Sequence, residues 1–287
     1  MTEQQVKSQE PSALEKEHAL RSNLLELGSL LVAYSGGVDS TYLLAVTHSV
    51  LGDQALGVTA RSVSLSSREL KTAIAQAQAI GARHELVKTY ELDDERYQAN
   101  APSRCFFCKE ALFKQLQPLA KKSEIAHVAV GFNLDDVSDF RPGHASAAKR
   151  GILSPLVEAG MTKEDIRERS KALGLPTWDK PAQPCLSSRI AYGVKVTPEL
   201  LEQIENAEDL LYEHGFTEFR VRYHEDLARI EVPEEDMERL FSLRATLAPA
   251  LQSFGFTFVT LDLLGFRSGS LNTTLSTTER ITYASPS

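Results

Sequence analysis

The stretch S-G-G-V-D-S at 35–40 constrains this chain more than any other, because it lies directly between an apolar run at 30–34 and a helical pattern at 40–51. A strand, a turn with two glycines and a helix, in that order, put a helix N-terminus just beyond the carboxyl end of the strand. Gly36 and Gly37 let the backbone approach an anion, the helix offers its positive dipole end, and the Ser35 and Ser40 hydroxyls add donors. The expectation is a loop that grips pyrophosphate. The sequence carries no G-x-x-x-x-G-K-[S/T] pattern here, and so no lysine within the loop to neutralise the β- and γ-phosphates. Holding the β,γ-pyrophosphate as a leaving group exposes the α-phosphorus, and Asp39 can recruit Mg2+ to the same oxygens. The loop therefore predicts adenylation by ATP rather than γ-phosphoryl transfer.

Around the loop, helical and extended patterns alternate. Helices are expected over 13–28, 40–51, 66–81, 105–122 and 162–173, and strands over 30–34, 55–60, 85–90 and 127–131. Such alternation implies an α/β fold, a doubly wound parallel sheet. Residues 174–196 are rich in proline and small residues and carry Cys185, Ser187, Ser188 and Arg189, the composition of a working linker rather than an idle one. Beyond it come a helix over 198–214, strands over 218–223 and 228–232, a helix over 234–254 and a strand over 257–263, which read as a smaller C-terminal α+β domain. The expected division is 1–190 for nucleotide binding and 191–287 for the substrate.

Charge narrows the partners. From residue 191 onward eight Lys and Arg stand against sixteen Asp and Glu, so the whole net charge of −8 resides there and residues 1–190 are neutral. An acidic C-terminal third repels a phosphate backbone and favours small ligands over nucleic acid. No window approaches the run of about 18 apolar residues needed to span a membrane, and the polar residues 1–9 do not read as a signal peptide, so the expected location is cytoplasmic.

Three cysteines in 287 residues do not make a disulfide framework. Cys105 and Cys108 form a C-x-x-C at the start of a predicted helix, where the dipole favours thiolates, and Cys185 lies in the linker. Three thiolates without an evident fourth ligand suit a [4Fe-4S] cluster with one open iron. The alternatives are zinc completed by His127 or His144, a redox dithiol, and plain thiols. Arg220 and Arg222, two apart on a predicted strand, point to one face, with Arg229 on the partner strand, and suit a specific phosphate. Glu208 and Glu231 would hold a divalent ion or those arginines. The loop at 131–143, with Asp135, Asp136, Asp139 and Arg141, belongs at the ligand-binding edge of the sheet, and Trp178 reads as packing.

The 35–40 stretch matches the PP-loop of the ATP pyrophosphatase superfamily. R-C-F-F-C-K at 104–109, F-R-P-G at 140–143, P-C-L-S-S-R-I-A-Y-G at 184–193, R-V-R-Y-H at 220–224 and L-D-L-L-G-F-R-S-G at 261–269 narrow the match. Over about residues 24–272 the chain resembles the LarE family, sulfurtransferases of nickel-pincer nucleotide biosynthesis. The resemblance implies ATP-dependent adenylation of pyridinium-3,5-biscarboxylic acid mononucleotide, followed by replacement of AMP by sulfur. In single-cysteine members the residue matching Cys185 gives up its own sulfur. Cys105 and Cys108 align this chain instead with three-cysteine members, in which a [4Fe-4S] cluster on Cys105, Cys108 and Cys185 carries the transferred sulfide. By the same resemblance, Ser188 and Arg189 are active-site residues and Arg220 and Arg222 hold substrate phosphate. A sulfide donor, a homo-oligomer and a downstream nickel-insertion protein are further implications. Competing expectations are a tRNA thiolase, an ammonia-using amidating synthetase and an ATP-sensing module.

Overall fold

The computed structural model describes residues 10–137, 142–267, 269 and 275–284. Its first sheet is built on strand β1 (Leu30–Ala33), whose side chains alternate between two cores. Leu30 and Val32 pack with Leu20, Leu24, Leu43, Leu44 and Ile166, while Leu31 packs with Leu56, Val58, Phe113 and Leu116. A strand buried on both faces reads in sequence as an unbroken apolar run, which is why 30–34 carries no polar alternation.

Strands β2 (Ala55–Arg61), β3 (Arg83–Lys88) and β4 (His127–Val130) complete an all-parallel sheet in the order β3-β2-β1-β4. Helices α1 (Ala13–Leu27), α2 (Val38–Leu51) and α3 (Ser67–Ile80) contribute to the first core. After the short α4 (Glu95–Gln98), α5 (Arg104–Lys122) and α6 (Pro142–Lys149) contribute to the second. Helices α7 (Pro155–Glu158) and α8 (Lys163–Ala172) return to the first. The sheet is thus doubly wound, as the alternating pattern predicts. Because β2 and β4 flank β1, the direction of winding reverses at β1, and the crevice beyond its carboxyl end is the switch point where such folds take ligands.

The second sheet joins β5 (Arg220–His224), β6 (Leu227–Glu231) and β7 (Phe258–Leu261), with β5 antiparallel and β7 parallel to β6. Its core gathers Phe216, Val221, Ile230, Leu240, Leu251 and Phe256 under α9 (Pro198–Glu213), α10 (Glu234–Ser242) and α11 (Arg244–Ser253). The single helix expected over 234–254 is in fact two. At the break the Ser242 hydroxyl donates to the Arg239 carbonyl and the Arg244 guanidinium to that of Phe241, side-chain bonds that compete with helix continuation. A last helix, α12 (Thr277–Ala284), lies near α6.

The linker is packed, not slack. Leu186, Ile190 and Val196 join Tyr97, Phe106, Phe107, Leu200 and Ile204 in one cluster, and Ile190 bridges to Tyr223 of β5.

Candidate active site

At the end of β1 the chain turns through Gly36 at φ +73°, the left-handed region that favours glycine, and a Cβ there would meet the Ala73 Cβ at 2.8 Å. Ser35 and Ser40 hydroxyls lie 3.1 Å apart, the Ser40 hydroxyl accepts the Ser35 amide at 3.2 Å, and it donates to the Gly37 carbonyl at 3.3 Å. Helices α1, α3, α8 and α9 are each preceded by a serine or threonine whose side chain caps an amide; α2 has Gly37 as its N-cap and, like α5, α7, α10 and α11, no side-chain cap. An uncapped helix start of this kind can take an anion. Gly131, at the end of β4, lets that strand approach α2: a Cβ there would stand 2.9 Å from the Ser40 amide nitrogen.

Asp39, in the first turn of α2, accepts Lys163 Nζ at 2.5 Å and Asn133 Nδ2 at 3.4 Å. The Asn133 side-chain oxygen accepts the Asp135 and Asp136 amides at 2.9 and 3.2 Å, and Asp135 accepts the Lys163 amide at 2.8 Å. The acidic loop at 131–137 therefore orders the residues around Asp39. Asp139, Phe140 and Arg141, singled out in the sequence, lie outside the described residues. From the linker, Lys180 Nζ donates to the Gly36 carbonyl at 3.1 Å and to Glu69 at 2.7 Å.

Cys105 and Cys108 occupy the first turn of α5, and Cys185 immediately precedes a short 3-10 turn, Leu186–Arg189. The three sulfurs share one neighbourhood. Burial pushes the Cys108 thiol well above its usual range, and Cys185, Glu91 and Cys105 add to the shift. Burial also raises the Tyr97 phenol, reinforced by Cys185 and Cys108. Burial works against the charge of Arg104, but the neighbouring Cys185 and Cys105 outweigh it and hold its pKa above the ordinary arginine value. Desolvation at Cys108 thus opposes the thiolate that the helix terminus favours.

Among the described residues no three His, Cys, Asp or Glu are arranged to hold a single metal ion. A four-iron cluster is wider than an ion and takes thiolates spread around it. Three sulfur donors with a buried guanidinium beside them suit it in kind and in charge.

Cys185 opens into a small recess lined also by Ser66, Arg68, Glu69, Gln183 and Arg189. Glu69, which also lines this recess, accepts the Lys180 ammonium that donates to the Gly36 carbonyl.

The arginines form a buried cluster against the linker. Arg189 is bidentate on Glu208 at 2.8 and 2.9 Å and donates to the Ser188 hydroxyl at 2.9 Å and to the Pro184 and Cys185 carbonyls at 2.5 and 3.2 Å. Arg222 donates twice to Glu231, at 3.0 and 2.9 Å, and to the Ser188 carbonyl at 2.8 Å. Glu231 also accepts Arg229 at 3.0 Å. Glu208 and Glu231 thus hold arginines. Arg220 differs: it donates to the Ala182 carbonyl at 2.6 Å and to that of Phe219, lies 4.9 Å over the Phe266 ring, and has no carboxylate within ion-pair reach among the described residues. Burial, then Arg189 and Arg222, push its pKa down to about 10.

Lys163, Lys180, Asn133, Tyr97 and Arg104 were not singled out from the sequence. The T-x-x-D capping box at Thr162 fixes Lys163 at a helix start, but its reach to Asp39 spans 124 residues. No protein-family model matches the chain. Pyridinium-3,5-bisthiocarboxylic acid mononucleotide synthase of Lactiplantibacillus plantarum is 36% identical to it over 270 residues, covering 94% of this chain and 98% of the relative. The chain belongs to that synthase family. Two uncharacterised proteins also align with this synthase-family chain. One, of Synechocystis sp., is 48% identical over 90% of the chain and 97% of its own length. The other, of Methanocaldococcus jannaschii, is 28% identical over 89% and 98%.

Proposed function

We propose that the protein is an ATP-dependent sulfurtransferase that activates the ring carboxylates of pyridinium-3,5-biscarboxylic acid mononucleotide and converts them to thiocarboxylates. The observation that carries this reading is the join between the two halves of the chemistry: Lys180 ties the Gly36 carbonyl to Glu69, and Glu69 lines the recess that holds Cys185. Synthase-family membership supplies the substrate class.

In the first step a carboxylate oxygen attacks the α-phosphorus of ATP. The bond to the bridging oxygen breaks, and pyrophosphate leaves with the electron pair. The α2 amides and the Ser35 and Ser40 hydroxyls receive the pyrophosphate, and Asp39 would hold a Mg2+ ion, which when bound supplies further positive charge to the leaving group. In the second step a sulfur nucleophile attacks the acyl carbon and AMP leaves with the carboxyl oxygen. Arg220 binds substrate phosphate within the cluster, where Arg222 and Arg189 fix the Ser188 and Cys185 backbone beside it. Cys105, Cys108 and Cys185 would hold a [4Fe-4S] cluster, which when bound supplies an iron site for sulfide. A sulfide donor, a homo-oligomeric state, cytoplasmic location and delivery to a nickel-inserting protein belong to the same reading. An acidic C-terminal third supports a small substrate over tRNA.

The test is anaerobic incubation with ATP, Mg2+ and the mononucleotide, following AMP, pyrophosphate and thiocarboxylate together with iron and labile sulfide. Stoichiometric AMP and pyrophosphate, with protein that contains iron and acid-labile sulfide and leaves Cys185 intact, is the expected result. Failure to release pyrophosphate overturns the adenylation reading. Iron-free protein that loses one sulfur from Cys185 per transfer replaces the cluster with the sacrificial route.

A further inference from the structure

A ring that carries two carboxyl groups brings a second charge along whenever the first is processed, and a carboxylate drawn away from water needs a partner. Three cations stand at the recess beside Cys185, and they are not equally engaged. Arg189 uses all three nitrogens, two on Glu208 and the third on Pro184, Cys185 and Ser188 oxygens. Lys180 is held by Glu69 and the Gly36 carbonyl. Arg68 differs. It lines the recess from the first turn of α3, and only its Nη1 donates, to Asp209 at 2.9 Å, so its Nε–Nη2 edge meets no acceptor among the described residues. Asp209 has a side chain 41% exposed, against 4% for the Glu208 that saturates Arg189. The Arg68 guanidinium is nevertheless fixed: it lies 4.3 Å over the Tyr212 ring and 5.8 Å from that of Phe219, and the neighbouring Ser67 amide donates to Glu205 at 2.6 Å.

We propose that Arg68 is a specificity-determining residue that takes the second acidic group of the ring, a carboxylate in the first round and a thiocarboxylate in the next. This inference rests on the mononucleotide reading above. A planar pair of N–H donors held in one orientation matches a carboxylate in two parallel hydrogen bonds, and little ordering remains to be done on binding. The 3 and 5 positions are separated by a single ring atom, so the second group stays in the same recess when the first faces Cys185. Glu69 and Glu208, which also line the recess, are offset by Lys180 and Arg189, so the incoming charge is not turned away. Phe219 links this cation to the proposed phosphate site: its ring lies near Arg68 and its carbonyl accepts Arg220. Arg68 thereby makes the site select a ring with two acidic groups over a ring with one.

The test compares two ligands that differ by one carboxylate, pyridinium-3,5-biscarboxylic acid mononucleotide and nicotinic acid mononucleotide, titrated by calorimetry into the full chain. Wild type binds the dicarboxylate about tenfold more tightly or better, the scale of a charge-assisted hydrogen-bonded pair. In Arg68→Met the dicarboxylate loses that increment, the monocarboxylate is unchanged, and the two affinities converge. Arg68→Lys keeps the charge but not the planar donors and recovers only part of the preference. Asp209→Asn retains the preference even where the melting temperature falls. A preference that survives in Arg68→Met overturns the proposal, as does an equal loss for both ligands, which is what a merely structural bridge between α3 and α9 gives. If Arg68→Met does not fold, a full preference in Arg68→Lys overturns it instead. A wild type that prefers the dicarboxylate yet releases no pyrophosphate refutes the adenylation reading and leaves Arg68 assigned. A wild type without the preference removes Arg68 while pyrophosphate release still upholds that reading.

Discussion

The two regions proposed to take phosphate are built on opposite principles. At the glycine turn the attraction comes from uncapped backbone amides at the head of α2, held open by Gly36 and Gly131, with one exposed lysine alongside. At β5 it comes from guanidinium groups buried under the linker, two of them saturated by Glu208 and Glu231 and the third without an ion-paired carboxylate among the described residues. An amide cradle costs little when empty because water solvates it. A buried cation cluster is stable only where carboxylates offset most of its charge. The lesson is that the number of arginines in such a cluster overstates its capacity for anions: Arg189 and Arg222 shape the floor, and Arg220 is the group proposed to bind.

The strongest test of this division removes a saturated arginine. Arg222→Ala leaves Glu231 buried with Arg229 as its remaining guanidinium partner among the described residues, and stability falls by about 3 kcal/mol, measured by urea unfolding. A small loss would show that the pair is not structural.

Next is Arg220→Met, which weakens mononucleotide binding about a hundredfold while ATP-analogue binding holds, measured by calorimetry. Its pH dependence follows from sign. A base whose folded pKa of about 10 lies below its ordinary value weakens the fold while it is charged, and that penalty eases as pH rises above about 10. Inorganic phosphate therefore raises the melting temperature of wild type at pH 7 to 9, the increment shrinks as pH passes through about 10, and Arg220→Met shows none. An equal increment in the variant moves the anion site elsewhere.

The smallest effect is expected at the other site. Gly36→Ala places a Cβ against Ala73 at a positive φ, which costs about 1–2 kcal/mol, so ATP-analogue binding weakens about tenfold and mononucleotide binding is unchanged. Parallel losses for both ligands would erase the distinction between the sites.

What the sequence discloses divides along the same line. The amide cradle is local: an apolar run, two glycines and a helix follow one another within a few residues, so period and turn chemistry suffice to read it. The doubly wound sheet is legible for the same reason. The guanidinium cluster is not, because its pairings join Arg189 to Glu208 and Arg222 to Glu231 across a linker and two strands, and side-chain partners at that distance are chosen by packing. Arg220 and Arg222 look equivalent in R-V-R-Y-H; only the register of β5 on β6 and the seat of the linker put one on a carboxylate and the other on main-chain carbonyls. The split of α10 from α11 escaped for a related reason, since hydroxyl and guanidinium bonds to carbonyls leave the apolar period intact.

The carbonyls of Ala182, Pro184, Cys185 and Ser188 are each gripped by an arginine, so the main chain on both sides of the linker thiol is bolted in place. Only rotation about its own side-chain bond is left to that sulfur. On the proposed reading, a ligand with two carboxylates does the travelling itself, turning its ring end for end over the fixed linker between one round and the next.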